Sequence, residues 1–426
     1  RPGSDRMSRV NPRSSVEQVA DAALGRERRD GAVAPAVTHS LSWLEIDRTF
    51  YRSNLDLMQT VVRPDCAISC VVKGNAYGHG ISSIVPLAEE WGIRHFSVFH
   101  AGEALEVQQA SNAESDILVL GFLTDDELEW AVEQDISFQV FDLHRLRWAE
   151  DAARRVGRPA RVHLELETGM NRTGLDDADF REAVERVAAS SGTLDCDGIC
   201  THFAGAESEG NFVRIRDQID RFHRAVEIAA ERGIRPRLRH TAGSAATFAY
   251  PETHLDLVRV GISQYGFWPS QETRMRFLLA RSDGGPAPPV EDPLKRVMRW
   301  VTRVMTVRDV PPGRFVGYGR SYLTTRPQRI ATLPVGYAQG FPRVLTNLGV
   351  VLVNGQRAPV VGVVNMNLTT IDVTEIPGVA PGDEVVLIGR QGDKEITVGW
   401  FGDMTQTLNY EVLVRIPREV PRVVTR

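Results

Sequence analysis

Apolar runs alternate with amphipathic segments along the first two thirds of the chain. Eight runs have the length and apolar content of buried strands, at Ile68–Lys73, His95–Phe99, Asp116–Leu120, Ile136–Phe141, Arg161–Leu166, Asp197–Phe203, Arg235–His240 and Leu255–Val260. Helical spacing recurs between them, for example at Ile81–Trp91, Gly102–Ala110, Asp125–Glu133, Leu143–Val156 and Val213–Arg232. Eight alternations predict an α/β fold built as a (β/α)8 TIM barrel, and a doubly wound open sheet is the competing arrangement.

The pattern changes after the Gly/Pro-rich stretch Ser282–Pro289. Short β-branched runs separated by turn signals then predict a mainly β domain, with runs at Arg299–Val307, Gln328–Pro334, Val350–Val353, Ala358–Val364, Thr369–Val373 and Glu384–Ile388. The predicted domains are therefore a barrel at 41–280, a linker at 281–293 and a β-domain at 294–426. The short strand at about 42–46 is left open between the two domains. Residues 1–40 read as a polar leader, helical at Val16–Leu24 and otherwise disordered.

Composition and charge narrow the functions and locations that the chain could have. The 426 residues are 42% hydrophobic and 25% charged, with a net charge of −5, which indicates a globular protein that binds neither nucleic acid nor a membrane surface. No run approaches the roughly 20 apolar residues of a membrane span, and the N-terminus lacks the apolar core of a secretion signal. These features predict a cytoplasmic protein.

Four cysteines form two C-x3-C pairs, Cys66 with Cys70 and Cys196 with Cys200. Such spacing can indicate a metal site. Both pairs, however, lie in or beside strand-like apolar runs, so we interpret them as buried structural thiols and expect no metal.

Lys73 ends the first apolar run, in "SCVVKGNAYGHG". Catalytic groups of such barrels lie at the C-terminal ends of the strands. Burial lowers the pKa of a lysine and frees a nucleophilic amine that can form a Schiff base. The alternative is a lysine that merely extends out of the barrel mouth.

Several separated motifs resemble those of the alanine racemase family, in the family order. They are "VVKGNAYGHG", "LETGMNRTG", "THFA", "AGSAAT", "RVGISQYG", "VGYGRSY", "VGYAQG" and "NYEV". Within the first of them, Gly74 replaces the usual alanine. The resemblance runs from about Ser42 to the C-terminus and implies a pyridoxal 5'-phosphate enzyme that interconverts L- and D-alanine.

The resemblance also implies how the cofactor is held. Lys73 would attach it, and Arg259 would face its pyridine nitrogen. Because arginine only donates hydrogen bonds, that nitrogen would stay unprotonated, which disfavours decarboxylation and transamination. Loops after strands seven and eight commonly bind phosphate in barrels. This supports Ser244 and the amides of Gly261 and Ile262 as ligands of the cofactor phosphate. The remaining implied cofactor contacts are Tyr77, Arg172, His202, Ser244, Gly261, Ile262 and Tyr410.

Racemisation requires an acid or base on each face of the α-carbon. Lys73 would serve one face, and the resemblance assigns Tyr318 to the other. It also places Tyr337 at the substrate entrance, and the Met366 amide and Arg172 at the substrate carboxylate. In the family the equivalent of Tyr318 comes from the partner subunit, so the resemblance implies a homodimer with shared active sites.

Two departures bear on the substrate. Glu165 stands where the family often has a lysine, and its carboxylate could orient Arg172. Asn365 and Asn367 replace a cysteine and an aspartate at the substrate mouth. Racemisation of another amino acid, such as serine, lysine or ornithine, is therefore the alternative.

Two other classes share the lysine-bearing barrel. Related decarboxylases use a cysteine in the β-domain, but all four cysteines here precede residue 201. Small pyridoxal-phosphate-binding barrels without enzymatic activity lack a β-domain. The sequence therefore favours a racemase over both.

Overall fold

The computed structural model describes residues 41–281 and 291–426. The predicted leader at 1–40, with its helical stretch, lies outside the described residues. So does most of the predicted linker, at 282–290.

Eight parallel strands form a nearly closed barrel in the described part of the chain. They are β2 (Ala67–Val71), β3 (His95–Val98), β4 (Asp116–Val119), β5 (Ser137–Val140), β6 (Ala160–Glu165), β7 (Leu194–Cys200), β8 (Leu238–His240) and β9 (Leu257–Val260). Neighbours along the chain are neighbours in the sheet, and β2 pairs with β9. β8 and β9 meet through a bridge between Gly243 and Arg259. The barrel prediction is thus confirmed over the open sheet.

Helices surround the barrel, and several begin where a side chain accepts a backbone hydrogen bond. Thr124 caps one helix in a reciprocal pair with Glu127, and Asp142 caps the next. The helices of this part of the chain are α1 (Arg48–Val61), α2 (Ile81–Glu90), α3 (Ala101–Ala110), α4 (Asp125–Glu133), α5 (Leu143–Val156), α6 (Asp177–Ala189), α7 (Phe212–Glu231), α8 (Ser244–Ala249) and α9 (Gln271–Ala280). None of the described helices is long and apolar enough to cross a membrane.

The strand at the start of the described chain, β1 (Ser42–Asp47), lies in the C-terminal sheet. It pairs antiparallel with β10 (Met298–Arg303) and parallel with β18 (Arg422–Thr425). The other strands are β11 (Thr306–Val310), β12 (Gln328–Leu333), β13 (Val350–Val353), β14 (Gln356–Pro359), β15 (Thr369–Asp372), β16 (Glu384–Gln391) and β17 (Lys394–Ile396). The predicted run Arg299–Val307 is split between two strands, because the chain passes from one sheet to another at Val304 and Met305.

Two short helices complete the C-terminal region, α10 (Val398–Thr405) and α11 (Asn409–Val414). α11 packs against the segment that follows Lys73, since a Cβ added at Gly78 would lie 2.1 Å from the carbonyl oxygen of Leu413. The C-terminal region therefore contributes to the mouth of the barrel in the same chain.

Candidate active site

Lys73 begins a left-handed turn directly after the first barrel strand. Gly74, Asn75, Ala76 and Tyr77 have φ values of 63°, 54°, 55° and 51°. Left-handed backbone is costly for residues with a Cβ, and the buried Glu103 carboxylate stabilises the turn. It accepts hydrogen bonds from the Gly74 amide at 2.6 Å and from the Phe99 amide at 2.9 Å. The turn fixes where the Lys73 side chain leaves the backbone.

The Lys73 side chain lines a cavity of about 1130 Å³ at the C-terminal ends of the barrel strands. Burial, followed by the nearby charge of Arg172, lowers the pKa of Lys73 below its usual value. The neutral amine, which is the nucleophilic form, is therefore more populated than in a surface lysine. The same cavity is lined by every other residue predicted to touch the cofactor, namely Tyr77, Arg172, His202, Ser244, Arg259, Gly261, Ile262 and Tyr410.

Arg259 is buried and held from the barrel side. Its Nη2 donates to the carbonyl oxygen of Thr201 at 2.9 Å, and its Nη1 donates to that of His240 at 3.1 Å and also contacts the His240 ring. Its Nε–H has no hydrogen-bond partner among the described residues. The guanidinium thus presents a donor in the cavity wall, which fits an aromatic ring nitrogen that accepts.

His202 lies beside Arg259 on the cavity wall, with Nδ1 3.4 Å from Nη2. Burial, then the charges of Arg259, Arg172 and Lys73, lowers the pKa of His202 to about 3. The ring is therefore neutral at physiological pH, and it adds no positive charge to a site that already holds three cationic side chains.

Hydroxyl groups gather where a phosphate would fit. Ser244 Oγ accepts a hydrogen bond from the Gly261 amide at 3.0 Å, and the rings of Tyr77 and Tyr410 have centroids 5.9 Å apart. A Cβ on Gly261 would lie 2.6 Å from the Tyr77 hydroxyl. A residue with a Cβ here would force the Tyr77 hydroxyl to move. Three hydroxyls and the amide of Ile262 are the donor set that a phosphate group prefers.

Glu165 does not contact Arg172, contrary to the orientation suggested by the sequence. Its Oε1 accepts a hydrogen bond from Thr173 at 3.3 Å. Arg172 is exposed in the loop after β6 and has no hydrogen bond or ion pair with any described residue. Burial raises the pKa of Glu165, although Thr173, Arg259 and Arg172 act in the opposite direction. Any influence of Glu165 on Arg172 is thus exerted through space.

Three predicted site residues of the β-domain do not line this cavity. Tyr318, Tyr337 and Met366 are exposed by 76%, 42% and 56%. The last two lie close together, because the amide of Tyr337 donates to the carbonyl oxygen of Asn365 at 3.1 Å. The chain therefore brings together the residues predicted to bind the cofactor, whereas these three predicted site residues are exposed.

Sequence reasoning missed several residues at the site. Glu103, which holds the left-handed turn, lies in a helix without any recognisable motif. His240 ends β8 and contacts Arg259, and its place at a strand end could have indicated a role. Gln139 lines the cavity and donates to the Cys200 thiol at 3.3 Å. The four cysteines are buried free thiols, and no cluster of three metal-ligating side chains occurs in the described ranges.

A lysine amine and two arginines that face one cavity at the strand ends define a (β/α)8-barrel enzyme with a reactive lysine. Residues 46–269 match the family model of the alanine racemase N-terminal domain, and residues 297–424 match that of the C-terminal domain. The chain belongs to the alanine racemase family.

Relatives with known names and structures agree with this assignment. The alanine racemase of Leptospira interrogans is 34% identical over 90% of this chain and 95% of its own, and that of Symbiobacterium thermophilum is 36% identical over 89% and 96%. The crystal structure of alanine racemase from D-cycloserine-producing Streptomyces lavendulae has a TM-score of 0.80 at 33% identity, covering 91% of this chain and 98% of that one. A structure from Bartonella henselae, with covalently bound pyridoxal phosphate, has a TM-score of 0.74 at 26% identity, covering 91% and 100%.

Proposed function

We propose that this chain racemises alanine with pyridoxal 5'-phosphate held by Lys73. The observation that carries the proposal is the position of the Lys73 amine. It enters a large cavity at the strand ends, its pKa is lowered, and every residue expected to contact the cofactor lines the same cavity. The cytoplasmic location expected from the sequence stays a prediction.

The cavity residues match the chemistry of the cofactor from end to end. Ser244, Tyr77, Tyr410 and the amide of Ile262 would hold the phosphate, Gly261 would leave room for it, and Arg259 would face the pyridine nitrogen. Arg172 would meet the phenolic oxygen and the substrate carboxylate. When bound, pyridoxal phosphate withdraws electrons from the α-carbon of the substrate, which makes its proton easier to remove.

This chain's own groups would then move the proton. Lys73 Nζ would serve one face of the α-carbon, and its lowered pKa increases the fraction of neutral amine that can act as a base. Because Arg259 only donates, it limits how far charge is drawn into the ring, which suits proton exchange better than loss of carbon dioxide.

The base on the other face would be Tyr318 of the partner subunit. Tyr318 is exposed and lies outside the cavity of its own chain. It lies in a loop closed by an antiparallel backbone β-bridge between Phe315 and Leu323, whose apolar side chains are both exposed. Exposed apolar groups beside an unused catalytic candidate are typical of an interface. We therefore propose a homodimer that completes each site.

The substrate depends on the mouth of the site. Asn365 and Asn367 are partly or fully exposed beside Met366, so amide groups would face the incoming amino acid. Alanine is proposed first because the named relatives are alanine racemases. Serine is the second candidate, since its hydroxyl could bond with an amide.

The attachment test is unusually clean because the chain has three lysines, Lys73, Lys295 and Lys394. Borohydride reduction of the holoenzyme should fix the cofactor on the Lys73 peptide, and L-alanine should become racemic with the untreated enzyme. Lys295→Arg and Lys394→Arg are matched controls that should keep both properties, since both lysines pair with neighbouring carboxylates. Label on either other lysine would refute the attachment.

Substrate choice is measured separately. Racemisation rates of alanine, serine, lysine and ornithine, with carbon dioxide release followed in parallel, rank the candidates. Carbon dioxide release faster than racemisation would show a decarboxylase instead.

A further inference from the structure

A chain of buried side chains connects Arg259 to the opposite end of the barrel. Arg259 Nη1 contacts Nδ1 of His240, Nε2 of His240 lies 2.7 Å from Nδ1 of His163, and Nε2 of His163 lies 3.4 Å from Oδ2 of Asp197. Both histidines are fully buried. Arg259 lines the cavity, and the other three residues lie beneath it in the barrel interior.

The direction of these hydrogen bonds is fixed from both ends. A guanidinium only donates, so Nδ1 of His240 must accept. A neutral His240 then carries its proton on Nε2 and donates it to Nδ1 of His163. The His163 proton is left on Nε2, which faces the Asp197 carboxylate. Burial lowers the pKa of both histidines, which keeps them in these neutral forms.

Ion pairs fix Asp197, the last side chain of the hydrogen-bonded series that begins at Arg259. Asp197 lies 2.9 Å from Arg161 and 2.8 Å from Arg237. Burial opposes the charge of Asp197, but hydrogen bonds from His163 and Arg237 outweigh it and hold the pKa of the carboxyl well below its usual range. The ionised carboxylate of Asp197 is therefore the hydrogen-bond acceptor at the end of this series of side chains.

We propose that His163 is a positioning residue for Arg259. By accepting a hydrogen bond from the Nε2–H of His240, Nδ1 of His163 keeps the lone pair of His240 Nδ1 directed at Arg259 and so fixes the guanidinium in the cavity wall. Without that acceptor, a buried N–H would lose its partner, which is costly enough to turn the His240 ring. The proposal rests on the proposed function only in that Arg259 faces the cofactor ring.

The test compares two substitutions of one side chain. In His163→Asn the amide oxygen can take the place of Nδ1 and still accept, whereas His163→Leu offers no acceptor. Nitrogen-15 spectra of histidine-labelled holoenzyme report which His240 nitrogen carries the proton, and ring-labelled cofactor reports the hydrogen bond to its nitrogen. His254→Leu is the control. His254 is equally buried, and its Nε2 lies 2.8 Å from the carbonyl oxygen of Thr247, but it does not belong to the hydrogen-bonded series from Arg259 to Asp197.

We expect unprotonated Nδ1 and protonated Nε2 at His240 in the wild type and in His163→Asn. In His163→Leu both the His240 and the cofactor nitrogen signals should shift. In that variant kcat should fall on the order of tenfold or more through misplacement of Arg259, with KM changed less than kcat. His254→Leu should lower stability without moving either signal.

Unshifted signals in folded His163→Leu would overturn the proposal. So would a proton on His240 Nδ1 in the wild type, a measurement that requires no variant to fold. Failure of the proposed function is distinguishable, because it would appear as absent racemisation in the wild type while the His240 protonation pattern could still be read.

Discussion

The lysine and arginine side chains of the cavity do not form ion pairs with Glu103 or Glu165. Lys73, Arg172 and Arg259 all line it, and two of the carboxylates that line it are already hydrogen-bonded to other groups. Glu103 accepts from backbone amides and Glu165 from Thr173. Charges that do not form an ion pair interact more weakly than charges in contact, so single charge changes here should alter binding without abolishing it.

Removing the charge of Glu165 should weaken binding of the substrate carboxylate by a small factor. We expect Glu165→Gln to raise KM a few-fold at neutral pH, on the order of 1 kcal/mol or less. Because burial raises the pKa of Glu165, the wild-type carboxylate protonates at a higher pH than a free one, and the two proteins should converge as pH falls. KM measured from pH 8 to pH 5 tests this, and a ratio independent of pH would contradict it.

His79 should make stability depend on pH. The ring stacks on Tyr265 at 4.3 Å, and burial lowers its pKa from 6.5 to about 4. Between those values the unfolded chain binds the proton and the folded chain does not, so the free energy of unfolding falls as pH drops through this window. The slope for one histidine reaches at most about 1.4 kcal/mol per pH unit.

His79→Gln isolates this contribution from those of the other histidines. The stability difference between wild type and variant should be constant above pH 7 and shrink towards pH 4. Denaturant unfolding at fixed protein and cofactor concentrations measures it. A difference that stays constant down to pH 4 would mean that His79 titrates normally in the folded protein.

At the scale of elements, the left-handed turn after Lys73 and helix α11 depend on each other. The turn is followed by Gly78, at φ +82°, and a Cβ there would meet the Leu413 carbonyl of α11 at 2.1 Å. α11 also carries Tyr410, which lines the cavity. The position of Tyr410, which is predicted to contact the cofactor, therefore depends on a glycine in the segment that follows the first barrel strand.

Gly78→Ala should lower stability and loosen the cofactor together. Gly92→Ala is the matched control, since Gly92 has φ +85° with nothing within 4 Å of the added Cβ. Both variants lose about 1–2 kcal/mol to the left-handed backbone, but only Gly78→Ala must also displace α11. Thermal unfolding and cofactor retention on dialysis should separate them, and equal behaviour would show that the packing of α11 is unimportant.

The elements that could be predicted from the sequence are those with a local signal. The run at Val350–Val353 and the helix at Leu143–Val156 match the observed bounds, because strand and helix periods lie within each segment. The pairing of β1 with β10 depends on residues some 250 positions away, and no local pattern contains it. The left-handed turn is equally hidden, because Ala76 and Tyr77 do not favour left-handed backbone and Glu103, which accepts hydrogen bonds from the turn, lies some 30 residues further along the chain.

In the candidate site, too, some features could be predicted from the sequence and others could not. The motif resemblance predicted that Lys73, Arg172 and Arg259 share one site, and all three line the same cavity in the structure. The exchange of Arg172 for Thr173 as the partner of Glu165 could not be read from residue types, because either side chain can donate. Hydrogen-bond partners are set by side-chain geometry rather than by sequence spacing.

At the scale of the whole molecule, the cofactor residues face a cavity while Tyr318, Tyr337 and Met366 face outward. A racemase needs a base on each face of the α-carbon, and the base proposed for the second face, Tyr318, does not line the cavity of its own chain. A second copy, related by a two-fold axis, would supply the missing surface to each site in a reciprocal manner. We therefore expect a homodimer in which each chain completes the site of the other.

Subunit mixing tests this arrangement directly. Lys73→Ala and Tyr318→Phe homodimers should each be nearly inactive, because every site carries one lesion. After subunit exchange, a mixed dimer collects both lesions in one site and none in the other. Random pairing makes about half the dimers mixed, so roughly a quarter of native activity should return. If both residues acted within one chain, every site of a mixed dimer would keep one lesion. No recovery, with exchange confirmed by mass, would then show that Tyr318 does not act across the interface.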